Sequence, residues 1–164
     1  CYRQRPPSGA RRWFDPRRGR GTGWIALNSR KFVEQRPWER ALFESCECGS
    51  GKSYVGCCGR LHSGAPARDA EELMRSRYCA FSRGNAPYLY KSWAAETRPL
   101  TVTLDTAQAW TGLTIDRHEV TGPDTALVRF TATWRKGTQT GRLIETSRFR
   151  REGAGWVYID GMLE

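Results

Sequence analysis

Four cysteines lie within a stretch of thirteen residues, CECGSGKSYVGCC, and are the strongest indication of a chemical function in this sequence. They follow the pattern C-x-C-x₈-C-C, so that two pairs of thiols stand at the two ends of the stretch. Four thiolates form a closed tetrahedral set of the kind that zinc prefers, although iron accepts the same ligands. We therefore predict a metal site here, with His62, four residues beyond the last cysteine, as an alternative ligand.

A closed set of protein ligands leaves no coordination position open for a substrate, so the predicted role of the metal is structural. Its binding free energy would hold a short segment folded. Disulfide bonds are the alternative for an exported chain. Four thiols packed so closely are nevertheless typical of a metal site in a reducing compartment, and we therefore predict a cytoplasmic protein.

The same stretch contains Gly51-Lys52-Ser53, which is the end of a phosphate-binding loop motif. That motif requires a glycine five residues before Gly51, where this chain has Cys46. It also requires a buried strand before the loop and a helix after it, and the sequence offers neither. Nucleotide binding is therefore disfavoured.

The formal net charge of +10 is concentrated at the start of the chain. Residues 1–45 hold eleven Lys or Arg and four Asp or Glu. Residues 1–23 are rich in Arg, Gly and Pro, which predicts a disordered tail, and its charge with Trp13 and Phe14 could bind RNA. Residues 24–45 are predicted to form an arm or a short helix. No apolar run approaches the roughly 20 residues of a membrane span, so none is expected.

The segments after the cysteines predict helices first and strands afterwards. Asp69 is a good N-cap with Glu72 three residues later, and apolar positions at helical spacing predict a helix over 70–83. Further predictions are a short helix at 88–93, a helical turn at 105–110, and strands at 113–120, 125–135, 141–151 and 156–162. This order is typical of an α+β fold with an antiparallel meander.

Two long motifs carry a resemblance to known families. The segment CECGSGKSYVGCCGRLHSG resembles the SEC-C motif, a small zinc module also found at the C-terminus of the SecA translocation ATPase. The downstream segments AEELMRSRYCAF, W…TRP, ETSRF and WVYIDG resemble the YchJ family of bacterial proteins, whose function is unsettled. The resemblance covers roughly residues 46–164.

The resemblance implies an organisation, a ligand set and a class of partner. It implies a zinc knuckle at residues 46–62, called the knuckle below. A nuclear-transport-factor-2-like domain at 66–164 would follow, in which helices pack on a curved, cone-shaped antiparallel sheet. The implied metal ligands are Cys46, Cys48, Cys57 and Cys58. Because SecA uses the similar module to contact its chaperone partner and the ribosome, a protein or ribosome partner is expected.

The chain departs from the family pattern where catalysis would need a histidine. Many members carry a histidine at the positions of Ala94 and Ile144. These differences weaken a catalytic role, and we therefore assign no catalytic residue. The closed metal site and the use of the similar module by SecA favour an adaptor over an enzyme.

An enzyme or small-ligand binder that uses the cone pocket is the alternative. Its general base would be Glu145 or Asp160, and the pocket would be formed by Tyr78, Trp93, Trp134, Glu145, Ser147, Tyr158 and Asp160. The competing interpretation is structural: Glu145 would pair with Arg75 or Arg77, and Asp160 would anchor a turn. Cys79 is predicted to be a small buried residue.

Overall fold

A computed structural model describes residues 44–164 of the chain. The predictions for residues 1–23 and for all but the last two residues of 24–45 lie outside the described residues. The helices are α1 (Cys58–His62), α2 (Ala70–Ser82) and α3 (Ala86–Lys91). The strands are β1 (Gln108–Gly122), β2 (Thr125–Lys136), β3 (Gln139–Glu152) and β4 (Gly155–Leu163).

Helix α2 confirms the capping prediction. The Asp69 carboxylate accepts a hydrogen bond of 2.7 Å from the backbone N–H of Glu72, which satisfies one of the free donors at the helix start. Leu73, Met74 and Tyr78 are buried on the side of the helix that faces the sheet. The cap thus fixes where α2 begins, and the apolar stripe packs the helix on the sheet.

Helix α3 begins two residues before its predicted start. The side chain of Asn85 accepts a hydrogen bond from the backbone N–H of Tyr88 and so fixes the first turn. Trp93, predicted as the last helical residue, instead forms a parallel β-bridge with Tyr158. The chain after α3 therefore runs beside β4.

The four strands form an antiparallel meander in the order β1-β2-β3-β4. The helical turn predicted at 105–110 is wrong at its end, because β1 begins at Gln108 and Trp110 pairs with Trp134 of β2. The Trp110 ring lies 6.1 Å from the rings of both Tyr78 and Phe81, so packing against α2 favours the strand there. Three register shifts in β1 bend the sheet around the helix.

One cluster of buried side chains runs from the cysteines through α2 to the sheet. On β2 the buried residues alternate with less buried ones, which gives the sheet one apolar face toward α2. These observations confirm the predicted α+β class, with helices on a four-stranded antiparallel sheet and a cysteine cluster before them. The boundary proposed between residues 62 and 66 stays a prediction, since the core crosses it.

No helix in residues 44–164 has the length and apolar character that crossing a membrane would require.

Candidate functional site

A tight hairpin brings the first pair of cysteines beside the second. The backbone N–H of Cys46 donates to the carbonyl of Lys52 at 2.8 Å, which closes the hairpin. Gly49 and Gly51 have φ angles of 74° and 73°, a left-handed conformation that is costly for residues with a side chain. The chain then enters α1 at Cys58.

The sulfur atoms of the four cysteines all lie within 4.8 Å of one another. Cys57 Sγ lies 3.6 Å from Cys48 Sγ and 3.9 Å from Cys58 Sγ. A tetrahedral zinc ion with Zn–S bonds of about 2.3 Å requires sulfur separations of about 3.8 Å. The two measured separations bracket this value, so the cluster is compatible with a metal ion held by four thiolates.

The thiols of this cluster are linked by hydrogen bonds. Bonds with Cys48 and Cys58 lower the pKa of Cys46 to about 6. Bonds with Cys46 and Cys48 raise the pKa of Cys58, and burial raises the pKa of Cys57. A metal ion binds thiolates and displaces their protons, so acid competes with the metal for this cluster.

His62 is not placed as a metal ligand, because both of its ring nitrogens already have partners. Nε2 lies 2.9 Å from the carbonyl of Ser76, and Nδ1 lies 2.8 Å from the hydroxyl of Tyr54. Since a carbonyl only accepts, Nε2 donates, and the neutral ring accepts from Tyr54 at Nδ1. Burial lowers the pKa of His62, which favours the neutral ring. His62 therefore ties the knuckle to α2, and Cys58 is the fourth thiol.

Two residues of α2 and its C-cap residue, at a spacing of four, contact the knuckle. Arg75 Nη1 donates to the carbonyl of Cys48 at 2.9 Å. One turn later, Cys79 Sγ lies 3.9 Å from Cys46 Sγ. After a further four residues, Arg83 stacks on the ring of Tyr54 in the knuckle, with its guanidinium carbon 3.6 Å from the ring centroid. This stripe holds the cysteine hairpin against the helix.

Cys79 is buried, as predicted, but its position beside the cluster was missed from the sequence. Its thiol donates to Glu47 at 3.1 Å, and Cys46, Glu47 and Cys79 form a second group of potential ligands. The sequence feature that pointed to this position is the spacing of Cys79, which is four residues from both Arg75 and Arg83. That spacing predicts a shared helix face, but not what the face contacts.

A cavity of about 280 Å³ lies between α2 and the sheet. Of the predicted pocket residues, Tyr78, Trp93, Glu145 and Tyr158 line it. Its remaining apolar lining includes Met74, Phe81, Trp110, Phe130 and Leu143. An aromatic and aliphatic wall with few polar groups is typical of sites for small organic ligands.

Asp160 lies outside this cavity, which corrects the prediction that it shares a face with Trp156 and Tyr158. The pairing of β3 with β4 shifts register between Arg148 and Phe149, so Tyr158 opposes Phe149 while Asp160 opposes Arg148. This β-bulge moves the Asp160 side chain to the other face of the sheet. There it forms an exposed ion pair with Arg148 rather than serving as a base or anchoring a turn.

Trp134 also lies outside the cavity. It lines a shallow surface depression near the hairpin between β2 and β3. A Cβ atom at Gly141 would come within 2.4 Å of the indole ring, so the missing side chain of Gly141 makes room for it. Because the ring packs over the neighbouring strand at the end of the hairpin, it does not reach the cavity.

Glu145 is held by hydroxyl groups rather than by an arginine. Ser147, which is fully buried, donates to Glu145 Oε1 at 2.6 Å, and the Tyr158 hydroxyl donates to the same oxygen at 3.3 Å. Among residues 44–164 no ion pair joins Glu145 to Arg75 or Arg77, so the predicted pairing is wrong. Ser147 therefore does not line the cavity itself, but its hydroxyl bonds Glu145, which does.

Comparisons with known families agree with this fold. The profile of a family described as the middle, NTF2-like domain of YchJ matches residues 69–161. A UPF0225 protein of Streptomyces coelicolor is 48% identical over 123 residues, which cover 71% of this chain and 93% of that protein. A UPF0225 protein of Xanthomonas campestris is 46% identical over 120 residues, with the same two coverages of 71% and 93%.

Two solved structures resemble the chain. The solution structure of a SEC-C motif containing protein from Rhodopseudomonas palustris has a TM-score of 0.64 and 29% identity, and the match covers 73% of this chain and 98% of that one. The crystal structure of a SEC-C motif containing protein from Psychrobacter arcticus has a TM-score of 0.61 at 24% identity, covering 76% and 85% of the two chains. The second likeness supports the fold alone.

Proposed function

The chain belongs to the YchJ family, and from that premise we propose that it is an adaptor whose zinc-loaded knuckle docks on a macromolecular partner. The observation that carries the proposal is the convergence of four thiols at the spacing of a tetrahedral metal site. Four protein ligands close the coordination shell, so the metal holds a shape and does not activate a substrate. The same proposal includes zinc rather than iron as the metal and a reducing cytoplasm as the location of the protein.

The outward side of the knuckle supplies the contact surface in this proposal. Val55 is 46% exposed in the turn between Tyr54 and Cys57, and Lys52, three residues earlier in the same loop, is exposed as well. A loop that exposes an apolar side chain and a cation suits a partner that is both anionic and partly apolar. A ribosome, with RNA and protein on its surface, is such a partner, and the similar module of SecA contacts one.

The test combines metal analysis with co-sedimentation on purified ribosomes at near-physiological salt. The unchanged chain is expected to hold about one zinc per molecule and to sediment with ribosomes. Cys57→Ser should lose both properties. Val55→Asp should keep the zinc and lose sedimentation, whereas Val120→Asp, the same change at a valine that is 69% exposed on β1, should keep both.

Three outcomes would contradict the adaptor proposal. A metal-free Cys57→Ser chain that still sediments would separate docking from the knuckle. Equal losses in Val55→Asp and Val120→Asp would remove the specific surface. Sedimentation that requires residues 1–23, survives Cys57→Ser and falls steeply with salt would assign the contact to RNA binding by the basic tail.

A further inference from the structure

Arg77 is a buried cation that lines the cavity, and among residues 44–164 it forms no ion pair. Arg77 is 3% exposed, and its Nη1 donates to the carbonyl of Leu89 and to the hydroxyl of Ser92. In the part of the chain that the structure describes, Nε and Nη2 have no hydrogen-bond partner. Among residues 44–164 no nitrogen of Arg77 is a fully inaccessible atom without a partner, so these donors are not sealed in the core and can receive an anion from the cavity.

Two aromatic rings hold the Arg77 guanidinium in place. Its central carbon lies 4.2 Å from the ring centroid of Tyr158 and 5.0 Å from that of Trp93. Burial lowers the pKa of Arg77 to about 10, so the group is still cationic at neutral pH. A planar cation held against two aromatic rings is pre-organised to receive a carboxylate through two parallel N–H bonds.

A hydrogen-bond acceptor in the same cavity is bonded to the hydroxyl group of the ring on which Arg77 packs. The Tyr158 hydroxyl donates to Glu145 Oε1, which also accepts from Ser147, whereas Glu145 Oε2 has no partner among residues 44–164. The cavity thus presents donors on Arg77 and an acceptor on Glu145, and both residues contact Tyr158. Its volume of about 280 Å³ is near the lower end of the roughly 300–1,000 Å³ usual for ligand pockets, so it suits a small molecule.

We propose that this cavity binds a small aromatic carboxylate that also carries an amino or hydroxyl group, with the carboxylate on Arg77 and the donor on Glu145. The ring of the ligand lies against the aromatic walls contributed by Tyr78, Trp93 and Trp110. The proposal is independent of the adaptor role, because no cysteine of the knuckle lines the cavity.

The first test uses the unchanged chain. Meta- and para-aminobenzoate are titrated by calorimetry and by the indole NMR signals of Trp93 and Trp110, in parallel with the neutral meta- and para-aminobenzamides. At least one carboxylate should bind, shift both indole signals, and bind about tenfold or more tightly than its amide, because a hydrogen bond to a charged group is worth more than a neutral one. Absence of binding by every probe, or equal affinity for acid and amide, would overturn the proposal.

The second test asks which arginine provides the preference. Arg77→Gln should abolish the difference between acid and amide. Arg148→Gln, the same change on the opposite face of the sheet, should preserve it. A preference that survives in a folded Arg77→Gln chain would refute the assignment. Glu145→Leu, which removes the acceptor oxygens, should weaken the aminobenzoate about as much as omission of its amino group weakens the unchanged complex. Aminobenzoate and benzoate should therefore bind a folded Glu145→Leu chain alike, and a retained difference would also refute the site.

Discussion

Replacing Gly161 with alanine should destabilise the protein through Glu145. A Cβ atom at Gly161 would lie 1.9 Å from Glu145 Oε1 and 2.8 Å from its Cγ, far closer than nonbonded atoms approach. The Glu145 side chain is flexible, so it can turn away. By turning it gives up the hydrogen bonds from Ser147 and Tyr158.

The size of the effect follows from those two bonds. A hydrogen bond to a charged group contributes about 1.5–3 kcal/mol, and Ser147 is fully buried, so its hydroxyl loses a partner that water cannot replace. The Tyr158 bond is longer and adds less. We expect a loss of about 2–4 kcal/mol in the free energy of unfolding, or a fall in Tm of roughly 5–15 °C for a chain of this size.

The assay is chemical and thermal unfolding of a double-mutant cycle. Gly161→Ala is compared with Glu145→Ala and with the double variant. In the Glu145→Ala background the clash is gone, so adding Gly161→Ala should cost less than about 1 kcal/mol. If Gly161→Ala costs the same in both backgrounds, the destabilisation arises in the β4 backbone and the reasoning about Glu145 is wrong.

The remaining predictions concern the metal ligands and the cap of α2. Cys58→Ser should reduce bound metal to well below one ion per chain by elemental analysis, whereas His62→Gln should retain one ion and lose only about 1–2 kcal/mol of stability, because the imidazole bonds Tyr54 and a backbone carbonyl. Metal loss in His62→Gln with retention in Cys58→Ser would reverse the ligand assignment. Asp69→Ala should lower the free energy of unfolding by about 1 kcal/mol through loss of the N-cap bond to Glu72, with Asp69→Asn as the control that keeps most of it. An unchanged Tm in Asp69→Ala would contradict that role.

The shared core has a consequence for metal removal. Arg75 and Cys79 of α2 contact the cysteine hairpin, and the neighbouring face of the same helix, with Met74 and Tyr78, covers the sheet. A chelator that empties the knuckle should therefore weaken contacts on one side of α2 while the sheet keeps its own ladder. Disorder that begins in the knuckle and spreads to α2 is the expected course.

Local chemistry made the four cysteines predictable as a group from the sequence. All four lie within thirteen residues, and two glycines between them allow the chain to turn back. The N-cap of α2 and the alternation along β2 are likewise properties of neighbouring residues. Such patterns depend on spacings of a few positions, which a linear sequence displays directly.

Tertiary structure alone decided which side chains meet across long separations. The one-residue bulge in β4 sends Asp160 away from the cavity, although its spacing from Tyr158 predicts a shared face. Cys79 reaches Cys46 across 33 positions, and Arg77 is buried against Trp93 and Tyr158, which come much later in the chain. A β-bulge and the docking of a helix on a sheet bring together residues that are far apart in the chain, so the alternation along one strand does not reveal them.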